Sequence, residues 1–316
     1  MQSVLVAGGA GFIGSHLCES LLLSNYKVIC VDNLLTGDKN NIVRFLSNPL
    51  FTFIQADIVK DRRSLPKIDF IFHLASPASP NKKSLRSYIA HPIETMLVNS
   101  VGTQNLLNLA KEDDAVFLFA STSEIYGDPA VSPQPETYFG NVNPVGPRSV
   151  YDEAKRFGEA ITMAYFRTHG VDARIVRIFN TYGPWMQKDD GRVVSNLINQ
   201  ALQGLPLTIY GDGKQTRSFC YVTDMVLGIQ KAMFADLARG EVINLGNPDE
   251  RTVLEIAAII KEMTHATSQI VFEPLPTDDP KKRKPDITKA KKILNWTPSV
   301  SLQEGLQKTI EYFKSV

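Results

Sequence analysis

Residues 3–23, SVLVAGGAGFIGSHLCESLLL, decide the fold. Ser3–Ala7 is a short, mostly apolar run of the kind that lies buried in a parallel sheet. Gly8, Gly11 and Gly14 follow at once, and an apolar-periodic stretch from Phe12 to Leu23 suits a helix. Strand, glycine turn and helix in that order give the spacing its meaning as a dinucleotide site. Gly8 permits the tight turn, Gly11 lets backbone approach a pyrophosphate, and Gly14 lets helix and strand pack closely. The helix N-terminus, with Phe12 and Ile13, offers free N–H groups and a positive dipole end to the phosphates.

Working outward, Lys27–Val31 predicts a second strand ending at Asp32-Asn33. A carboxylate there accepts from the ribose hydroxyls of NAD and repels the 2′-phosphate of NADP. Phe51–Ala56 runs into Asp57-Ile58, where a carboxylate meets the adenine amino group, and Phe70–Leu74 runs into the small residues Ala75-Ser76. Val116–Ala120 then delivers Thr122, Ser123 and Glu124 at a strand's carboxyl end, where open α/β sheets bind ligands. The fold class expected is α/β, a Rossmann-type doubly wound parallel sheet with a smaller C-terminal α+β substrate domain.

Tyr151-Asp-Glu-Ala-Lys155 places a phenol and an ammonium one helical turn apart on one face. A nearby ammonium favours phenolate, so the Tyr151 pKa is expected to fall towards neutrality and make a general base for a sugar or alcohol hydroxyl. Thr122 is expected to hydrogen-bond the same oxygen. Residues 127–149, with five prolines and three glycines, link the Thr122 strand to the Tyr151 helix and read as an active-site loop.

The bulk of the chain sets limits. At 316 residues it holds one large domain or two modest ones, and 43% hydrophobic content with a net charge of +1 fits a globular protein with no electrostatic pull towards nucleic acid or membrane. Cys18, Cys30 and Cys220 are odd in number and widely spaced, which suits reduced thiols in a cytoplasmic setting. The five His have no metal-ligand spacing, so no metal is expected. No run approaches a membrane span, and the N-terminus reads as a strand rather than a signal peptide. The expected division is an NAD-binding half over 1–180, with part of 240–290 returning to it, and a mainly substrate-binding half over 181–316.

Several segments together carry a resemblance. These are Gly8–Gly14, HLASPASP (73–80), GNVNPVGPRSVYDEAK (140–155), NTYGP (180–184), DGRVVS (190–195), YGDGKQTRSFCYV (210–222), NLGNP (244–248) and DDPKKRKPD (278–286). With them the chain resembles the extended short-chain dehydrogenases that remodel nucleotide sugars, and among these the UDP-glucuronate decarboxylases. The resemblance implies NAD as a recycled cofactor, with Asp32, Asp57 and Asn99 along it and Lys155 also on the nicotinamide ribose. It implies Asn180, Arg192, Val193, Tyr210, Arg217 and Arg283 on a UDP-sugar, and a homodimer built from helices near 93–111 and 151–168. Of the run Lys281-Lys282-Arg283-Lys284, only Arg283 is expected at the ligand. Trp185 stands where the family usually has Arg, and Glu94 and Leu97 where it tends to carry lysines.

Within that family Ser123 separates the reactions. The sugar-nucleotide 4,6-dehydratases carry Thr-Asp-Glu at this turn, the Asp serving as acid for a departing hydroxyl; a serine does that poorly. Decarboxylation of a 4-keto glucuronate needs no such acid, with Glu124 and Arg217 as candidates for steering water and the carboxylate. A 4,6-dehydratase is the alternative, then a 4-epimerase; a non-catalytic NAD sensor would lack Tyr151 or Lys155.

Overall fold

The computed structural model describes residues 1–61, 65–82 and 84–316. Six parallel strands come from the first half: β1 (Ser3–Ala7), β2 (Lys27–Asp32), β3 (Phe51–Gln55), β4 (Phe70–His73), β5 (Val116–Thr122) and β6 (Ala173–Ile178). Val4 to Ala7 are fully buried, as a strand covered by helices on both faces must be. Helix α1 (Phe12–Leu23) starts straight after the glycine turn. Gly8 is left-handed there, φ +83°, and a Cβ on Gly14 would fall 2.1 Å from the Gly8 oxygen, so neither position admits a side chain.

Helix α2 (Pro92–Leu97) passes through one π-helical turn, Val98–Gly102, into α3 (Thr103–Asp113). Helix α4 (Ser149–His169) ends at the left-handed Gly170. It packs on β5 through Gly158, where a Cβ would lie 2.2 Å from Phe119 Cζ. The segment from Gly127 to Arg148 forms no helix or strand beyond isolated bridges from Gly127 to Asn141 and from Gln134 to Pro285.

The later chain builds three small sheets. β7 (Thr181–Tyr182) pairs with β10 (Cys220–Tyr221), and β8 (Leu207–Tyr210) with β13 (Ile270–Glu273). β9 (Thr216–Ser218) lies between β12 (Glu250–Thr252) and β14 (Lys282–Arg283). Helices α5 (Val193–Leu202), α6 (Val222–Phe234), α7 (Val253–Thr264), α8 (Thr288–Leu294) and α9 (Leu302–Ser315) complete it. β11 (Val242–Leu245) returns to pair with β6, giving the order β3-β2-β1-β4-β5-β6-β11, the doubly wound arrangement with one strand added.

A buried polar chain fixes that added strand. Ser121 Oγ donates to Glu159 at 2.6 Å, and Arg177 grips the same carboxylate with two bonds of 2.9 and 2.8 Å. Arg177 also donates to Tyr126 Oη, and Tyr126 Oη to Asn244 of β11 at 2.8 Å. Asn244 Nδ2 donates to the carbonyls of Gln134 and Asp286. At the far end the Trp296 indole is buried and donates to the Asp224 carbonyl at 3.0 Å.

The expected strands and helices form with ends shifted by a residue or two. One shift matters: β5 runs two residues beyond Ala120, so Thr122 is its last residue.

Because Gly158 sets the distance between α4 and β5, Gly158→Val should overpack that contact and cost about 1–3 kcal/mol in urea unfolding. An unchanged midpoint would show that Phe119 yields freely.

Candidate active site

Three recesses above the carboxyl ends of the central strands share walls and form one cleft. The middle one is lined by Gly8, Gly11, Phe12, Ile13, Gly14, Leu74, Ser76, Thr122, Ser123, Glu124, Tyr151, Lys155, Asn180 and Arg192. On one side, Asp32, Asn33, Asp57, Ile58 and Ala75 line a recess that shares Gly8, Gly11, Leu74 and Ser76 with it. On the other, Val193, Tyr210 and Arg217 line a recess that shares Glu124, Arg148, Asn180 and Arg192. The sequence therefore placed nearly every expected site residue on one continuous surface.

The first side fits a dinucleotide. The Gly8–Gly14 turn leaves room for a phosphate because no side chain can occupy it. Asp32 closes β2, its carboxylate accepting from the backbone N–H of Ala10 at 3.0 Å and of Leu34 at 2.8 Å, which fixes it at the mouth of the Asp57 recess. Asn99 is a correction: it is buried behind the wall, donating to Ser76 Oγ at 2.9 Å and the Thr95 carbonyl at 2.8 Å, so it holds Ser76 instead of lining the cleft.

Tyr151 and Lys155 share a face of α4, as the spacing requires, but their electrostatics differ from the expectation. Burial pushes the Tyr151 phenol up to about 12, against the lowering effect of a Thr122 hydrogen bond and of Arg192. Lys155 donates to the Ala120 carbonyl at 2.8 Å, and burial lowers it to about 7, only partly opposed by Glu159. Desolvation is the largest influence on both groups. Tyr151 is thus a phenol, with Thr122 as its hydrogen-bonding partner. Tyr88, which the sequence did not flag, stacks on the Tyr151 ring with centroids 5.0 Å apart and planes 7° from parallel.

Thr122 caps the turn Ser123–Tyr126, its Oγ1 accepting from Glu124 N at 3.2 Å. Burial alone would raise Glu124, but Arg148 and Arg283 hold its carboxyl down at about 2. Arg148 Nη2 donates to Glu124 Oε2 at 2.5 Å, and Arg283 Nη2 lies 3.7 Å from the same oxygen. Arg283 is the second correction. Only 1% exposed, it donates to the carbonyls of Ser123 and Gly127 beneath the turn, so it supports the turn from behind and is absent from the cleft wall. Arg217 is on the wall, its Nη2 donating to Asp279 Oδ2 at 2.8 Å, and Asp279 Oδ1 accepts from Arg148 at 3.3 Å. Arg148 is thus a site residue that sequence reasoning passed over. Its signal was there, three residues before Tyr151 and hence on the same helical side.

A strap crosses the cleft. Ser79 Oγ donates to the Asp190 carbonyl, Ser84 Oγ to Asp189 at 2.9 Å, and Gln187 Nε2 to the Thr36 carbonyl at 2.7 Å. Trp185 stays off the wall. Its ring packs under the Arg44 guanidinium, 4.3 Å from the centroid, and against Tyr312.

The buried ammonium yields a pH signature. Between about 7 and the ordinary 10.5 of lysine, the unfolded chain binds the Lys155 proton more tightly than the folded one, so stability rises with pH in that window. Lys155→Met should therefore melt higher than the parent at pH 6, by a margin that narrows as pH climbs through the window. A margin that does not change with pH would contradict the buried-charge penalty.

Comparison with known proteins agrees with this geometry. Residues 4–246 match the model of the NAD dependent epimerase/dehydratase family. A UDP-glucuronic acid decarboxylase 1 of Arabidopsis thaliana is 51% identical over 99% of this chain and 70% of its own length. One of Danio rerio is 49% identical over 99% of this chain and 72% of its own length. Among solved structures, a UDP-glucuronic acid 4-epimerase from Bacillus cereus, in complex with UDP-glucuronic acid and NAD, superposes with a TM-score of 0.88 at 32% identity, covering 99% of both chains. The glycine turn, the Tyr151/Lys155 face and the near full-length likeness have one meaning: the chain belongs to the NAD dependent epimerase/dehydratase family.

Proposed function

We propose that this chain is a UDP-glucuronate decarboxylase, converting UDP-glucuronate to UDP-xylose and CO₂ through a 4-keto sugar. The carrying observation is the Thr122-Ser123-Glu124 turn, with an ionised Glu124 clamped by Arg148 and no acid at position 123. The full-length likeness to decarboxylases of about half identical sequence supports it. Gly8, Gly11, Phe12, Ile13, Gly14, Asp32, Asn33, Asp57, Ile58, Leu74, Ala75 and Ser76 would hold NAD, which would supply the oxidation at C4 and its reversal.

The remaining chemistry falls to the chain. Tyr151 takes the C4 hydroxyl proton and later returns it. It does so as phenolate, a state whose cost from burial the Thr122 hydrogen bond and the Arg192 charge reduce. With C4 a ketone, the C6 carboxylate is β to it, and loss of CO₂ leaves the electron pair as an enolate on O4. Thr122 and Tyr151 are placed to hold that oxygen, an electrostatic task in a dry cleft. CO₂ leaves as a neutral molecule, so a bare guanidinium on the carboxylate would raise the barrier; Glu124 offsets Arg148. Protonation at C5 completes the product. Ser123 is a poor acid at neutral pH, which works against water elimination. Asn180, Arg192, Val193, Tyr210 and Arg217 are assigned to the UDP-sugar, and Arg forks suit its diphosphate.

The division into an NAD-binding half over 1–180, completed by β11, and a substrate-binding half over 181–316 belongs to the same proposal. So does a homodimer through α2, α3 and α4, supported by Ile93 at 61% and Phe157 at 50% exposure on those helices. Three free, buried cysteines favour a cytoplasmic setting. Among the described residues no helix is long and apolar enough to cross a membrane.

Purified protein incubated with UDP-glucuronate, without added cofactor, should release one CO₂ per UDP-pentose formed, read by mass spectrometry. Loss of water from UDP-glucose or dTDP-glucose, with UDP-glucuronate untouched, would overturn the assignment. Tyr151→Phe should lower kcat by about 10²–10⁴ with little change in KM. A parent-like kcat would remove Tyr151 from the proton transfer.

A further inference from the structure

Two guanidiniums of the cleft wall, Arg148 and Arg217, meet two carboxylates, Glu124 and Asp279, in one buried corner, with Arg283 behind the Glu124 turn. The carboxylates are not equivalent. Glu124 belongs to the capped turn at the end of β5. Asp279 sits on the turn between β13 and β14, where its backbone N–H donates to the Pro276 carbonyl. From there its two oxygens reach two different elements: Oδ1 accepts from Arg148 at the start of α4, and Oδ2 from Arg217 of β9. Both arginines face the recess, so Asp279 occupies their ligand-facing side.

Buried cations without a partner are costly, and an anion-binding cleft must satisfy them while it is empty. We propose that Asp279 is an internal competitor for the substrate: its carboxylate holds Arg148 and Arg217 until an anionic group of the UDP-sugar displaces it. The inference rests on the UDP-sugar reading of this cleft. It makes Asp279 a specificity-determining residue. A neutral sugar does not repay the two broken ion pairs, whereas a ligand bringing a diphosphate and a carboxylate does. Once Asp279 leaves, Arg217 loses its ion-pair partner and Arg148 keeps only Glu124, an excess of positive charge matched to an incoming anion.

Asp279→Asn keeps the shape and removes the charge. Titration calorimetry with UDP and the KM for UDP-glucuronate should both show binding about tenfold tighter, the equivalent of one displaced charge-assisted hydrogen bond. Asp278→Asn is the through-space control. The Asp278 carboxylate lies on the same turn but meets Asn143 at 3.3 Å, and its loss should change either value by less than about twofold. Equal tightening in both variants, or no tightening in Asp279→Asn, overturns the competitor. Tightening towards both ligands assigns the displaced anion to the diphosphate; tightening towards UDP-glucuronate alone assigns it to the sugar carboxylate. If the parent decarboxylates UDP-glucuronate while Asp279→Asn gains affinity for neither ligand, the competitor fails and the reaction stands. If Asp279→Asn gains affinity for UDP yet neither protein consumes UDP-glucuronate, the reaction fails and the competitor stands.

Discussion

A carboxylate kept ionised inside a desolvated cleft is the constraint around which this site is arranged. Burial by itself pushes Glu124 towards protonation, and the guanidiniums of Arg148 and Arg283, with a smaller contribution from Arg217, keep it charged. Each guanidinium ties a different part of the chain to the β5 turn: Arg148 the start of the Tyr151 helix, Arg283 the C-terminal strand β14. Arg283 also braces the turn through the Ser123 and Gly127 carbonyls. The position of Tyr151 relative to Thr122 follows from these ties as much as from the sheet. Here a buried ion pair serves geometry first, since its desolvation leaves little net stabilisation.

The first half of the fold was legible because its signals are local. A strand buried on both faces followed by glycines can be read from a dozen residues, and Gly8 and Gly14 proved intolerant of any side chain for the expected reasons. The small sheets were not legible. β7, β10 and β14 are two residues long and show no periodicity that pattern reading could find. In the site, residues carried on the glycine turn, β2 and the β5 turn lay where expected. Asn99 and Arg283 did not, because whether a polar side chain faces the cleft or braces its wall depends on packing from distant elements. The Tyr151 expectation failed for a related reason. A four-residue spacing reports proximity to Lys155, and it carries nothing about how completely both groups are dried.

The solved epimerase superposes on this chain over nearly the full length of both, so the architecture does not choose among reactions. In the proposed reaction the choice is made by a few side chains at one strand end: Ser123 withholds an acid, and Glu124 tempers the Arg148 charge beside the leaving carboxylate. Small changes at such a turn alter the outcome because the 4-keto sugar is a common branch point from which several bonds can break.

β11 has a further consequence for how the chain was assembled. Its Asn244 joins, through Tyr126 and Arg177, the same buried chain that holds Glu159 and Ser121. The late segment therefore does not sit on the early one as a detachable cap, because one of its strands is woven into the edge of the sheet. Such a topology resists modular exchange. A recombination event that swapped everything after residue 180 would have to bring a compatible edge strand with it. Insertions in the loops between β6 and β11, outside the α6 helix that packs on the sheet, leave the strand pairing intact, and those loops are where new sugar specificities can be written without refolding the rest.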